Sequence, residues 1–305
     1  MASIDVIILT YNEEIHLARA LASVRKFAKS VFIIDSGSTD STVEIAQDYG
    51  ATVLVNPFVN QAKQMHWALE NAPLSSDWIM RLDADEVIEA ELSSEILVKL
   101  DALGKQVTGI NLKRKHIFMG RWIRYGGRYP VIMLRIWRRG MAHCEDRWMD
   151  EHMVVNHGNV VMFEHPFSDI NLQNLTFFTQ KHNSYATREA VEILIQRCEL
   201  IDGKSDFNHT NVSRQTFLKR TIKNKVYNKL PFWFGPFAYF LSRYILQFGF
   251  LDGKPGLIYH FLQGFWYRFL VGAKVEELDG ELRAIPRRQD RLKKLEELTG
   301  YRIEC

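Results

Sequence analysis

Arg81-Leu82-Asp83-Ala84-Asp85-Glu86 places three carboxylates within four positions, directly after the apolar run Trp78-Ile79-Met80. That run has the length and composition of a short buried strand. Where such a strand ends, the backbone leaves the sheet, and Asp83 and Asp85 can turn into the crevice where open α/β sheets bind ligands. Like charges packed together need a counter-charge. A divalent cation is the simplest one, and an all-oxygen donor set suits Mg²⁺ or Mn²⁺, ions that usually also bind phosphates. One reading is a metal–diphosphate site. The other is a solvated acidic turn capping a helix that begins near Glu89.

The elements that must position these carboxylates alternate in type. Ile4-Asp5-Val6-Ile7-Ile8-Leu9 reads as a buried strand, followed by Thr10-Tyr11-Asn12, with Asn12 as N-cap of a helix that turns Ile15, Leu17, Leu21 and Val24 inward. Val31-Phe32-Ile33-Ile34 is a second strand, ending at Asp35 and the turn Ser36-Gly37-Ser38-Thr39-Asp40. A helix from Ser41 to Tyr49 has Gly50 in the position of a C′ glycine. A third strand, Thr52 to Val55, and a helix from about Asn60 to Asn71 lead to the strand Trp78–Leu82. This alternation predicts a mostly parallel sheet with helices on both faces. Beyond Ser94 the pattern is mixed: strands at Gly109–Lys113 and Val131–Trp137, a Gly126–Pro130 loop, and helix from Leu172 to Ile201.

Three loops now stand at strand C-termini: Thr10-Tyr11-Asn12-Glu13-Glu14, Asp35-Ser36-Gly37-Ser38-Thr39-Asp40 and Asp83-Ala84-Asp85-Glu86. Together they resemble the family 2 glycosyltransferases with the GT-A fold, over roughly the first hundred residues. The remainder, notably Leu246-Gln247-Phe248-Gly249-Phe250-Leu251-Asp252-Gly253-Lys254, is similar to the lipopolysaccharide-core and exopolysaccharide branch of that family, whose type is a β-1,4-glucosyltransferase.

The resemblance implies site roles. Thr10, Asn12 and Glu13 line the nucleotide pocket near base and ribose, and Asp35 contacts uracil or ribose. Asp83 faces the ribose and diphosphate and Asp85 binds the metal, with Asp83 as a second ligand. Lys63 lies where the family often has a polar contact to the donor; its other reading is a solvent-facing lysine. Arg81 pairs with the carboxylates or touches the donor. Inverting transfer needs a carboxylate to take the proton of the attacking hydroxyl. The candidates are Asp150 and Glu151, within Arg147-Trp148-Met149-Asp150-Glu151-His152, with Glu151 preferred and Glu145 or Asp146 as an outside alternative. His165 is a further metal or phosphate ligand, or a structural histidine. Arg135 and Arg138 hold a donor or acceptor phosphate, or are exposed strand-end arginines.

The last third is crowded with aromatic residues from Pro231 to Ala273. Phe237–Leu251 and Leu257–Leu270 carry narrow polar stripes (Ser242, Arg243, Gln247; His260, Gln263, Arg268) around the strong turn Asp252–Gly256. Mid-segment charges argue against a membrane span, and abundant Trp and Tyr favour the headgroup region. The segment is expected to be an amphipathic hairpin lying in the membrane interface. A helix Arg214–Lys229 with six basic residues precedes it and would attract anionic lipid or an acceptor pyrophosphate. Packing as a soluble helical subdomain, or an oligomer interface, is the alternative.

Composition sets the outer limits. Net charge is +3, from 39 basic and 36 acidic residues, so no polyanion partner such as nucleic acid is indicated. Three widely spaced cysteines without a CxxC argue against a disulfide framework or a zinc site and fit a reducing compartment. Met1-Ala2-Ser3-Ile4-Asp5 has no basic, then apolar, leader pattern, so no signal peptide is expected. The expected organisation is an α/β GT-A catalytic domain over 1–170 (nucleotide-sugar half about 1–100, acceptor half about 101–170), then a helical, membrane-associating region over 171–305 with the aromatic hairpin at 231–273. The expected activity is metal-dependent, inverting transfer of a hexose, glucose from a UDP-sugar, to a lipid-linked saccharide or lipopolysaccharide-core acceptor. Its place would be the cytoplasmic face of the bacterial inner membrane. The alternatives are a nucleotidyltransferase, disfavoured by the acidic, glycine-free loop after the first strand, and a non-catalytic membrane-docked binding protein.

Overall fold

The computed structural model describes residues 3–145, 152–198, 200, 232–301 and 303. The chain divides into two compact units, Met1–Leu172 and Gln173–Cys305.

The first unit runs β1 (Ile4–Thr10), α1 (Leu17–Val24), β2 (Ala28–Asp35), α2 (Thr42–Asp48), β3 (Thr52–Val55), α3 (Gln61–Asn71), β4 (Trp78–Asp83), β5 (Glu86–Ile88) and α4 (Ala90–Lys99). It continues through β6 (Val107–Phe118), β7 (Arg121–Trp122), β8 (Val131–Arg138), β9 (Ala142–Cys144), β10 (Met153–Val155) and β11 (Asn159–Ile170). One sheet has the order β3-β2-β1-β4-β8-β6-β11-β5, with β7 on β6, while β9 and β10 form a separate hairpin. The apolar run of β1 is buried on both sides, which is why it reads as continuous hydrophobicity and not as alternation. Ile4, Val6 and Ile8 pack with Leu17, Leu21 and Val24 of α1 and with Leu92 and Ile96 of α4. Ile7 faces the other way, with Ile34 and Ile79, against Ala62, Met65 and Ala68 of α3. Each of these aliphatic side chains contributes on the order of 1.5–3 kcal/mol by leaving water.

The expectation of a mostly parallel sheet holds only for part of it. β3, β2, β1 and β4 are parallel, as are β6 and β11, but β8 runs antiparallel to both β4 and β6, and β5 runs antiparallel to β11. The sheet is mixed. The crossover strands come from long-range pairings in the 107–170 region, where the sequence pattern is not periodic.

In the second unit, α5 (Leu175–Arg197) buries Val191, Leu194 and Ile195 against Val275, Leu278 and Leu282 of the helix Tyr267–Leu282 and Leu292 and Leu295 of the terminal helix Arg288–Thr299. The aromatic segment forms a helix at Phe234–Leu241 that widens to π geometry over Ser242–Leu246, then a 3₁₀ turn at Gly249–Asp252. Helix resumes at Gly253 and runs to Leu282 through a second π stretch, His260–Trp266. The chain therefore reverses at 247–252, a little before the expected Asp252–Gly256 turn. Pro255 lies inside the first helical turn, where its missing N–H has no intrahelical acceptor to satisfy. Among the described residues no helix is long and apolar enough to cross a membrane. The expected basic helix Arg214–Lys229 lies outside the described residues.

Candidate active site

Strand register brings the three loops together. Thr10 is paired with Asp35, and Leu9 with Asp83, so β2, β1 and β4 end side by side. The first two loops are laced into one unit by reciprocal hydrogen bonds. The Asn12 N–H donates to Ser38 Oγ at 2.9 Å, and Asn12 Oδ1 accepts from the Thr39 N–H at 2.9 Å. The Glu13 N–H donates to Thr42 Oγ1 at 2.8 Å, the Glu14 N–H to Asp40 Oδ2 at 3.2 Å, and Glu14 Oε2 accepts from the Ser41 N–H at 3.2 Å. Asn12 adopts a left-handed conformation, φ 55°, which asparagine tolerates better than most residues. It does not cap α1. That helix begins at Leu17, and Asn12 spends its side chain on the neighbouring loop.

Thr10 and Asp35 are buried at 3% and 1% exposure, so neither presents its side chain to a crevice in this structure. The Asp35 carboxylate accepts from Thr10 Oγ1, the Gly37 N–H, the Ser38 N–H and Ser38 Oγ at 2.5–2.9 Å. Asp35 thereby shapes the turn whose backbone and hydroxyls form the rim. Glu13 is half-buried, and its Oε2 lies 2.6 Å from Nδ1 of the buried His16. His16 Nε2 accepts from the Leu172 N–H at 2.9 Å, so Nδ1 carries the proton and donates to Glu13. Lys63 is exposed at the start of α3, whereas Gln64 beside it is buried. Gln64 Nε2 donates to Ser36 Oγ and to the Asn56 carbonyl, and its Oε1 accepts from Asn56 Nδ2. The inward group on this helix is thus Gln64. A polar residue in register with the apolar Ala62, Met65 and Ala68 was the available signal.

The acidic turn is held by arginines of the same chain. Asp83 Oδ1 accepts from Arg81 Nε at 3.2 Å and Oδ2 from Arg135 Nη2 at 3.0 Å. Arg135, at 2% exposure, also grips Glu86 Oε1, and its guanidinium lies 5.3 Å from the Phe167 ring centre. Glu86 Oε2 in turn accepts from the Asp83 N–H at 2.9 Å. Burial pushes the Asp83 carboxyl up, but Arg135 and Arg81 outweigh it and hold the group below the usual carboxylate range. Burial pushes the Glu86 carboxyl well up, against the pull of Arg135 and with a further push from Asp83 and Asp85. A second layer adds Asp169, 3.0 Å from His116 Nδ1 and 3.7 Å from Arg114 Nε. Asp85 is half-buried; its backbone carbonyl accepts from the Ile170 N–H at 2.9 Å and its Oδ2 from Asn171 Nδ2 at 3.1 Å.

This arrangement corrects the argument from like charge. Arg81, Arg135 and Arg114 supply counter-charge to the carboxylates, so like charge alone does not call for a metal ion. Asp83 has both oxygens engaged by guanidinium groups. His165 Nδ1 lies 2.8 Å from Glu95 Oε2, on the stretch of β11 that packs on α4, four residues before Asp169, which pairs with Glu86 of the acidic turn. Among the described residues no three His, Cys, Asp or Glu side chains are grouped to hold an ion. What fits is a sparser donor set, Asp85 with phosphate oxygens and water completing the sphere, as Mg²⁺ commonly binds. Arg138 is structural: it donates to the carbonyls of Val107, Leu103 and Gly104 and stacks 4.3 Å from the Trp78 ring centre.

Asp150, Glu151 and Asp146 lie outside the described residues. The residues on either side of them are fixed: the Glu145 N–H donates to the His152 carbonyl at 2.9 Å, closing the β9–β10 hairpin. His152 and Met153 line a small cleft with Arg81, Met133, Leu134 and Arg135. His152 and Met153, the first described residues after the candidate bases, therefore lie beside the two arginines that hold Asp83.

Comparison with known proteins gives the family. The family model for glycosyl transferase family 2 matches residues 5–170, the unit that holds all three loops. A glycosyltransferase of Rickettsia bellii is 27% identical over 293 residues, 94% of this chain and 90% of that protein. One of Rickettsia typhi is 40% identical over 96 residues, but the chain spans only 32% of that protein's length. The lipopolysaccharide core biosynthesis glycosyltransferase LpsC of Rhizobium meliloti is 30% identical over 158 residues, 50% of this chain and 57% of that protein. Among solved structures, glucosyl-3-phosphoglycerate synthase from Mycobacterium tuberculosis, in complex with Mn²⁺, UDP and glucosyl-3-phosphoglycerate, is 23% identical at a TM-score of 0.32, over 38% of this chain and 44% of that one. That likeness is too slight to argue from.

Proposed function

We infer, for a chain that belongs to glycosyl transferase family 2 and is a glycosyltransferase, that it transfers a hexose, glucose from a UDP-sugar, with inversion and with a divalent metal, to a lipid-linked saccharide or lipopolysaccharide-core acceptor. The register of Thr10 with Asp35 and of Leu9 with Asp83 carries this reading, because it sets a polar rim and an acidic turn on one sheet edge. The interlocked loops 10–14 and 35–42 offer hydroxyls, backbone groups and the exposed Tyr11 ring, on which a base can stack. Arg81, Arg135 and Glu86 fix Asp83 and so aim the turn at Asp85. A bound Mg²⁺ or Mn²⁺ would be held by Asp85 and would stabilise the departing diphosphate as a Lewis acid. Glu151, or Asp150 beside it, takes the proton of the acceptor hydroxyl as that oxygen attacks the anomeric carbon.

The acceptor class follows LpsC, whose name places it in lipopolysaccharide core biosynthesis and which aligns with half of this chain. The same acceptor class puts the enzyme at the cytoplasmic face of the inner membrane. The test is a panel of nucleotide sugars, read by nucleotide release with and without Mn²⁺. UDP release from UDP-glucose that depends on Mn²⁺ and rises with a core-saccharide acceptor supports the reading. Equal release in chelator, or release only from another nucleotide sugar, overturns the metal or the donor assignment respectively.

A further inference from the structure

We propose that the apolar stretch 246–251, at the chain reversal, is a membrane-inserting wedge, which docks the second unit onto an anionic lipid bilayer without spanning it. Leu246 is 74% exposed, Phe248 56%, and Phe250 and Leu251 nearly half exposed, so four large apolar side chains project from six consecutive positions. Phe248 has φ +59°, a left-handed conformation that is an outlier for an aromatic residue. Such a conformation persists when its surroundings over-determine it. Here the neighbour is Gly249, packed so closely that a Cβ would lie 2.8 Å from the fully buried His260 ring and 2.9 Å from the Arg243 carbonyl. Arg243, itself buried, is tied to Gln263 Oε1 at 2.6 Å. A rigid, polar-pinned base thus presents an aromatic tip to solvent.

The wedge continues into a wider apolar surface. Phe250 contacts Tyr244, which stacks on Phe240, which meets Phe261 edge-on, each ring pair within 6.4 Å. Phe261 and Leu257 line an open groove of about 390 Å³ whose lining is apolar. Charge selects the partner. Between 232 and 273 the single acidic residue is Asp252, and it is 2% exposed, while Lys254 and Arg268 are exposed. Within 232–273, apolar tips, aromatic rings and cations without an exposed carboxylate complement anionic headgroups over acyl chains. The inference rests on the membrane placement proposed above and is independent of the transfer chemistry.

The experiment is co-sedimentation of the full-length chain, without any sugar donor, with phosphatidylethanolamine/phosphatidylglycerol vesicles and with phosphatidylcholine vesicles. The wild type should pellet with the anionic vesicles and bind them at least about tenfold more weakly after Leu246→Ser plus Phe248→Ser. Lys254→Glu should weaken binding to the anionic vesicles alone. Unchanged circular dichroism and UDP-sugar turnover would separate this result from failure of the transferase reading. On the wild type, acyl chains brominated near the headgroup should quench tryptophan fluorescence, a readout that needs no variant. The idea is overturned by a wild type that stays in the supernatant, by equal binding of the double variant, by absence of quenching, or by a wild-type dimer that vesicles do not dissociate and the double variant does.

Discussion

Arg135 Nη2 sits 3.0 Å from Asp83 Oδ2 across 52 positions of sequence, and the same buried guanidinium holds Glu86. The acidic turn is therefore built as an ion-pair cluster before any ligand arrives. Removing one partner of a buried pair leaves uncompensated charge, at a cost of about 3–5 kcal/mol. Arg135→Met should lower the unfolding free energy by that order in urea titrations. Adding Asp83→Asn should restore part of it, because Asp83, which the arginines hold ionised, then loses its charge together with its partner. An additive double variant would show that the two residues do not share one network.

Asp85 Oδ2 takes a neutral donor, Asn171 Nδ2 at 3.1 Å, where Asp83 takes two guanidinium groups. Asp85→Ala should lower Mn²⁺-dependent nucleotide release by on the order of a hundredfold or more, with thermal stability close to wild type. Unchanged turnover would remove Asp85 as the metal ligand. Asp83→Asn, by contrast, should cost stability as well as turnover, since Arg81 and Arg135 both lose an anionic partner.

The strand ends were legible from residues 4 to 83 because each β–α unit there is local: an apolar run, a capping turn and an amphipathic helix lie within about thirty residues. The Thr10, Asp35 and Asp83 alignment follows from that alternation alone. Asn12 was misread as a helix cap because Asn-rich turns have the same composition whether the side chain bonds forward to its own helix or sideways to the next loop. The charge balance was legible only in part, through Arg81, whose pairing with the carboxylates was one of its two readings. Arg135 stands in Met133-Leu134-Arg135-Ile136-Trp137, where it interrupts an apolar strand, but only the pairing of β8 with β4 reveals its partner. β11 was hidden for a related reason. Its sequence, Asn159 to Ile170, contains Pro166 and mixes charge with apolar residues, and its register slips beside that proline.

The base assignment separates by one residue. Glu151→Gln should lower kcat by roughly 10²–10⁴-fold with little change in donor KM, because the group acts on the acceptor hydroxyl. Asp150→Asn should remain near wild type. If Asp150→Asn alone abolishes turnover while donor binding persists, the base is Asp150.

Glu95 gives a pH-dependent prediction for the fold itself. Its carboxylate accepts from the backbone N–H groups of Glu164 and His165 at 2.9–3.1 Å and from Lys99 Nζ at 2.8 Å, tying β11 to α4. Burial raises its pKa, but these hydrogen bonds outweigh it and bring the group from 4.5 down to about 2. The folded value lies below the unfolded one, so the stabilisation is fully present above pH 4.5 and is lost as pH falls towards 2. A shift of this size corresponds to roughly 3 kcal/mol. Glu95→Gln should therefore flatten the acid limb of a stability-against-pH curve measured between those values, and it should leave two backbone donors poorly paired at neutral pH. If the variant follows the wild-type curve throughout the acid range, the carboxylate does not anchor β11.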